Sequence, residues 1–301
     1  MRMSDWTQTL LSATERLRAA GVESPRREAR LLLAHVLGLR PEDIVSGNLP
    51  PQDTALGERF EAALARRVAR EPLAYVIGRR EFWSLDFEVD PGVLIPRPES
   101  EFMVEEALKR FPASSVPLRV LDLGTGSGCL LLAFLSERPN AEGLGVDISR
   151  EALSVAKRNA QHLGLNARAR FLLGDWMDAL SGAWDVIFIN PPYIASDDLM
   201  GLEPEVGRHE PRAALDGGAD GLSAYRRVAG ALLAHLRPKG RAFFEVGQGQ
   251  AGAVEGLLAE KGLQVEGTVF DLAGICRCLV VVEAVAKITA KKELAIGTRS
   301  S

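Results

Sequence analysis

The chain has 301 residues, 47% hydrophobic and 25% charged, with a net charge of −4. This is the composition of a globular protein with room for one large α/β domain and a small one. No apolar run approaches the roughly 18–20 residues of a membrane span, the first residues lack the apolar core of a signal peptide, and the acidic balance gives no global field for a nucleic-acid backbone. Three cysteines (Cys129, Cys276 and Cys278) and four scattered histidines make neither a disulfide framework nor a metal site, which points to a reducing, cytoplasmic setting. The charge is uneven: residues 1–80 hold thirteen arginines, no lysine and ten acids, the pattern of solvated helix faces or of a basic front end for an acidic partner.

The first 70 or so residues read as three helices. Trp6, Leu10, Ala13 and Leu17 recur at helical spacing. Ser24 and Pro25 offer an N-cap followed by proline at the first helical position, and Ala29, Leu32, Leu33, Val36 and Leu37 then form an apolar stripe that Gly38 ends. A third helix follows Asp53, with Leu56, Phe60, Leu64 and Val68 at i, i+4 steps. Three such stripes can be buried against one another as a bundle. Residues Glu81 to Val89 are aromatic-rich and alternate, the pattern of a hairpin. Pro96 and Pro98 then forbid a helix until Glu99.

From about residue 117 the pattern alternates strand and helix. Strands are predicted at Arg119–Leu123, Gly143–Val146, Ala169–Leu173, Val186–Ile189, 241–246, 264–270 and 277–284. Helices are predicted at 127–136, 149–163, near 222–236 and at 250–261. Such alternation predicts a doubly wound α/β fold, a mostly parallel sheet covered by helices on both faces. The chain thus divides into a helical bundle (1–75), a hairpin and linker (76–115), an α/β domain (116–285) and a loosely ordered tail (286–301).

The run Asp122-Leu123-Gly124-Thr125-Gly126-Ser127-Gly128 follows the first predicted strand and opens a helix. Glycines at that bend let a ligand approach the backbone, and free N–H groups at the helix start can bind oxygen atoms. The spacing is G-x-G-x-G, with Cys129 where a dinucleotide fingerprint wants a third small residue. Asp147 ends the second strand, placed for ribose hydroxyls; Asp175 and Trp176 follow the third, placed for an adenine amino group and ring. Three pieces at three successive strand ends fit one crevice for a nucleoside cofactor.

The fourth strand runs into Asn190-Pro191-Pro192-Tyr193. The prolines fix the backbone and remove two donors but keep their carbonyls. The Asn190 side-chain oxygen and the Pro191 carbonyl therefore suit a substrate with two N–H donors, an NH₂ on a planar carbon, with Tyr193 as a flat face. Holding both N–H bonds returns electron density to a poorly nucleophilic amide nitrogen and aims its lone pair at an electrophilic methyl, such as the one on the sulfonium of S-adenosylmethionine. No strong general base is needed, since the methylated nitrogen sheds its proton readily.

These motifs carry a family likeness. GTGSG at 124–128 with Asp147 resembles the class I S-adenosylmethionine methyltransferases, and NPPY at 190–193 resembles the amino and amide N-methyltransferases within that class. LIPRPESE at 94–101, FFEVGQGQ at 243–250 and Asp271-x-x-Gly274-x-x-Arg277 resemble the bacterial protein-(glutamine-N5) methyltransferases, most closely those acting on peptide-chain release factors. The likeness runs from the N-terminal helices to about residue 284. It implies a Rossmann-like seven-stranded sheet whose last strand is antiparallel, with a helical N-terminal domain that helps bind the partner. It implies S-adenosylmethionine at Gly124–Gly128, Asp147, Trp176 and Asn190, and a substrate glutamine, from a Gly-Gly-Gln loop, held by Asn190, Pro191, Pro192 and Tyr193. A monomer is expected, with no metal, membrane or direct nucleic-acid partner.

The rival readings are a ribosomal-protein glutamine methyltransferase, a DNA or RNA amino-methyltransferase that flips a base into the same motif, a binding module without turnover, and a nicotinamide oxidoreductase. Arg97 and Glu99 could clamp the substrate region, pair with each other or cap the next helix. Glu245 and Asp271 read as turn and packing residues.

Overall fold

The computed structural model describes residues 5–47, 49–178 and 180–284, so the tail expected at 286–301 lies outside the described residues. The helices are α1 (Asp5–Ala19), α2 (Pro25–Leu37), α3 (Pro41–Ser46), α4 (Thr54–Val68), α5 (Leu73–Ile77), α6 (Glu101–Arg110), α7 (Cys129–Glu137), α8 (Arg150–His162), α9 (Pro204–His209), α10 (Ser223–His235) and α11 (Ala251–Ala259). The strands are β1 (Arg79–Phe82), β2 (Leu85–Glu88), β3 (Arg119–Leu123), β4 (Glu142–Asp147), β5 (Ala169–Leu173), β6 (Trp184–Ile189), β7 (Leu236–Glu245), β8 (Leu263–Phe270) and β9 (Cys276–Glu283).

The three long N-terminal helices bury the stripes read from the sequence. Trp6, Leu17, Leu32, Leu33, Phe60 and Leu64 share one core, each such side chain contributing about 1.5–3 kcal/mol by leaving water. The Trp6 and Phe60 rings meet edge-on at 6.3 Å, and the Trp6 indole donates to the Pro50 carbonyl at 2.8 Å. Asp53 caps α4 by accepting from the Leu56 N–H. Ser24 stands at the N-cap position of α2, but its hydroxyl makes no cap bond; Pro25 at N1 and left-handed Gly38 set the two ends.

The expected hairpin is β1–β2, turned by Trp83 and Ser84, both at positive φ (55° and 56°). That is the twist a two-residue hairpin turn prefers, here in two residues with a Cβ. The Trp83 N–H donates to Glu101 and its indole to Glu137, which compensates the strain. The helical turn after the linker starts at Pro98, one residue earlier than expected, because the first helical position needs no N–H donor.

The seven-stranded sheet has the order β5-β4-β3-β6-β7-β9-β8. The first five run parallel, and β9, the last strand, runs antiparallel between β7 and β8. Side chains alternate across it, as a strand's period of two requires: Val186 and Phe188 join Phe134 and Phe243 on one face, while Ile187 and Ile189 join Tyr225, Leu232 and Phe244 on the other. Strand β7 begins at Leu236, earlier than expected, and its extra residues between Leu236 and Arg241 are taken up by a register shift opposite Trp184 and Val186. The order reverses at β3, so the crevice opens at the carboxyl ends of β3, β4, β5 and β6. Among the described residues no helix is long and apolar enough to cross a membrane.

Candidate active site

Two adjoining cavities open at that edge. The larger, about 520 Å³, is lined by Gly124, Thr125, Gly126, Ser127, Asp147, Asp175, Trp176, Asn190 and Pro192, with Val93, Leu94 and Arg97 of the linker above. The smaller, about 200 Å³, is lined by Asn190, Pro191, Tyr193 and Glu245, with Leu94, Arg97, Val206 and Leu215. Asn190 stands at the wall they share.

The glycine bend is held by its own backbone. The Gly124 and Thr125 N–H groups donate to the Val146 carbonyl, the Gly126 N–H to Asp147 Oδ2 at 2.9 Å, and the Gly128 N–H to the Thr125 carbonyl. These four donors are committed inside the protein rather than free for a ligand. The bend works instead as a bare floor. Gly124 is at φ 70°, and a Cβ there would come 3.8 Å from both the Asn190 carbonyl and the Trp176 ring, so a side chain would fill the space between them. Gly128 does not line the cavity: a Cβ there would press on Leu132 and Ala156 at 3.2 and 3.3 Å, so its role is to let α7 and α8 approach.

Asp122 lies buried under the bend, and the Thr125 hydroxyl donates to it at 2.6 Å. Burial raises its carboxyl to about 7 against the pull of that hydroxyl. Asp147, also pushed upward by burial, holds Gly126 with one oxygen and the Ser149 N–H with the other. Ser149 caps α8, its hydroxyl accepting from the Ala152 N–H. Asp175 pairs with Arg227 at 2.7 Å. Asp147 and Asp175, which line the cavity, suit a ligand that carries positive charge and hydroxyl or amino donors. The volume is that of a nucleoside-sized site, and the residues present fit S-adenosylmethionine.

The loop after β6 closes on itself. Ile194 and Ser196 pair with the stretch 215–218, and Gln250 donates to the Tyr193 carbonyl at 2.9 Å. Two acids of the closed loop reach outward. Glu205 binds Arg70 through both oxygens at 2.6 Å and Arg67 at 2.9 Å, tying the loop to the helical bundle. Glu210 accepts from Arg97 at 2.6 Å and from the Ile95 N–H at 3.2 Å. Arg97 therefore clamps the loop rather than pairing with Glu99. Asp271 is a turn residue as expected, accepting from Ala273, Ile275 and Arg277.

Three site residues were not read from the sequence in these roles. Asn159, fully buried in α8, bonds both backbone groups of Glu88 and the Ser127 carbonyl, which fastens the hairpin to the glycine bend. A polar residue on the apolar stripe of α8 was its available signal. Ser100 donates to Glu245 at 2.5 Å and accepts from Asn190 Nδ2 at 3.3 Å. Glu245 interrupts the apolar run Ala242–Val246, a signal read only as packing; Ser100 stood only within the LIPRPESE run, with no role of its own.

Residues 8–78 match the family described as PrmC N-terminal domain, and residues 114–225 a methyltransferase domain. A solved methyltransferase from Pyrococcus furiosus shares the fold at 18% identity and a TM-score of 0.50, over 75% of this chain and 98% of that one. The release factor glutamine methyltransferase of Rhodospirillum rubrum is 49% identical over 88% of this chain and 81% of its own. The Caulobacter vibrioides protein of the same name is 45% identical over 89% and 91%. With identity at this level spanning both the helical bundle and the sheet, the chain belongs to the release factor glutamine methyltransferase family.

Proposed function

We propose that the chain transfers a methyl group from S-adenosylmethionine to the side-chain amide nitrogen (N5) of the glutamine in a Gly-Gly-Gln loop of peptide-chain release factors. The observation that carries this reading is the position of Asn190, in the wall between the glycine-floored cavity and the smaller polar one. Gly124, Thr125, Gly126, Ser127, Asp147, Asp175 and Trp176 hold the cofactor, with Gly128 acting through the packing of α7. When bound, the cofactor supplies a methyl on a sulfonium sulfur, a ready electrophile.

The protein's work is positioning. The acceptor amide enters the smaller cavity, where the Asn190 side-chain oxygen and the Pro191 carbonyl each accept one of its N–H bonds. Its lone pair then points across the shared wall toward the larger cavity. The Tyr193 ring holds the amide in plane, and the closed 194–218 loop with the linker shields the junction from water. Both acceptors are preorganised, so little reorganisation accompanies the developing positive charge on nitrogen. The helical bundle (1–75), joined to the loop through Glu205, offers the docking surface for the partner.

The test is mass spectrometry of release factor after incubation with enzyme and S-adenosylmethionine. One added methyl on the Gly-Gly-Gln glutamine is expected. Methyl transfer to another residue, or only to nucleic acid or a ribosomal protein, overturns the substrate assignment.

A further inference from the structure

Glu245 ends β7 beside Asn190. The register pairs Ile189 with Phe244, so the next residues, Asn190 and Glu245, leave adjacent parallel strands at one level. The Glu245 side chain is buried, at 5% exposure, and lines the smaller cavity. Among the described residues it has no ion pair. Arg97, which lines the same cavity, is taken by Glu210 at 2.6 Å, and Arg277, whose charge acts on Glu245, by Asp271 at 2.7 Å. Its contacts are two hydroxyls, Ser100 at 2.5 Å and Tyr193 at 3.5 Å. Glu99 beside Ser100, Cys278 on β9, Cys129 on α7 and Tyr225 on α10 complete the titratable groups around it. A buried carboxylate without a cation costs stability, and packing alone would favour an apolar residue here.

We infer that Glu245 is a positioning residue for methyl transfer: through Ser100 it fixes which end of the Asn190 carboxamide faces the acceptor nitrogen. The inference rests on the proposed role of Asn190. An ionised carboxylate only accepts, so the single Ser100 proton points at Glu245. The Ser100 oxygen is then left as an acceptor, and only the Asn190 NH₂ satisfies it. The Asn190 oxygen is thereby turned toward the substrate, where a donor must be met. If Glu245 is protonated it donates to Ser100, whose proton turns toward Asn190 and calls for its oxygen instead. The Asn190 NH₂ then confronts the NH₂ of the acceptor amide, donor against donor. The charge on Glu245 sets the sense of the whole chain, and Tyr193 is steadied by its other oxygen. Burial raises this carboxyl to about 7, with the Ser100 hydroxyl opposing and Glu99 adding to the rise, so the switch between the two senses lies in an accessible range.

The test measures kcat at saturating cofactor against pH, with release factor as acceptor. Saturation matters because burial raises Asp122 to about 7 as well, and Asp122 holds Thr125 of the larger cavity, so a change in its charge would be expected in cofactor affinity. In the wild-type enzyme kcat is expected to rise with pH through about 7. Glu245→Gln, neutral at every pH, should flatten that limb and lower kcat by about 10- to 100-fold, with cofactor affinity unchanged by calorimetry. Ser100→Ala should likewise flatten the limb and lower kcat, read at saturating cofactor because Ser100 also borders the larger cavity; Ser100→Thr should restore both rate and limb, and the double variant should be no slower than either single one. Ser100→Ala removes one oxygen and carries the test even if Glu245→Gln fails to fold. A wild-type limb retained in Glu245→Gln, or additive losses in the double variant, overturns the inference. Full turnover by Asn190→Ala would instead refute the underlying role of Asn190, a separate outcome.

Discussion

At the scale of single residues, the proposed chemistry rests on Asn190 beside the glycine bend. Asn190→Ala removes an oriented acceptor at a half-buried loop position without opening the sheet core. Its kcat should fall by about 10²–10³, the cost of deleting one preorganised polar group, while the thermal midpoint stays within a few degrees. Steady-state kinetics beside a melting curve separates the two effects. Gly145 gives the opposite kind of prediction. A Cβ there would stand 2.7 Å from the Thr125 hydroxyl and 2.8 Å from the Phe171 ring. Gly145→Ala should therefore displace Thr125 from Asp122 and distort the bend, costing about 1–3 kcal/mol of overpacking. Cofactor affinity should weaken more than tenfold, as read by calorimetry, before turnover at saturation is affected.

At the scale of elements, the contact between the bundle and the loop is governed by one acid. Glu205 on α9 meets Arg67 and Arg70 from α4 and the turn that follows it, and Arg67 also binds Glu28 on α2. Arg67 is 4% exposed, so deleting Glu205 leaves that buried charge to Glu28, and Arg70 loses its acid. Glu205→Ala should cost about 1–3 kcal/mol in chemical denaturation, less than a buried charge left with no partner. It should raise KM for the protein acceptor while leaving cofactor binding intact, because the larger cavity does not contain it. Burial alone would raise the Glu205 carboxyl, but the hydrogen bonds from Arg70 and Arg67 outweigh it and hold the group at about 2. A depressed carboxyl contributes stability above its unfolded value of 4.5 and loses it as pH falls through about 2. Acid titration should accordingly loosen the bundle from the loop between about pH 4.5 and 2, and Glu205→Gln should remove that step.

Across the whole molecule, the glycine bend, the loop and the linker meet over one crevice, so cofactor binding there should be felt by the entire fold. At about 100 times its dissociation constant, S-adenosylmethionine should stabilise the protein by about 2.7 kcal/mol and raise the melting temperature by about 5 °C. Asp147→Ala should remove most of that shift, since Asp147 holds Gly126 at 2.9 Å and faces the cavity. An equal shift in the variant would show that the aspartate does not contribute to binding.

The strands, the long N-terminal helices, the glycine bend after β3, the acid ending β4 and the proline-bounded rim after β6 were all legible in the sequence alone, whereas α3, α5, α6 and α9 were not. Those features are local: hydrophobic period, glycine and proline report the backbone within a few residues. What the tertiary structure decided is polar and long-range. Ser100 lies 145 residues from Glu245 and 90 from Asn190, and Arg70 lies 135 from Glu205. Periodicity has no reach over such separations. A hydroxyl, an amide and a carboxylate acquire a shared role only when docked strands bring them together away from water, and it is the loss of water that makes an otherwise unremarkable glutamate matter.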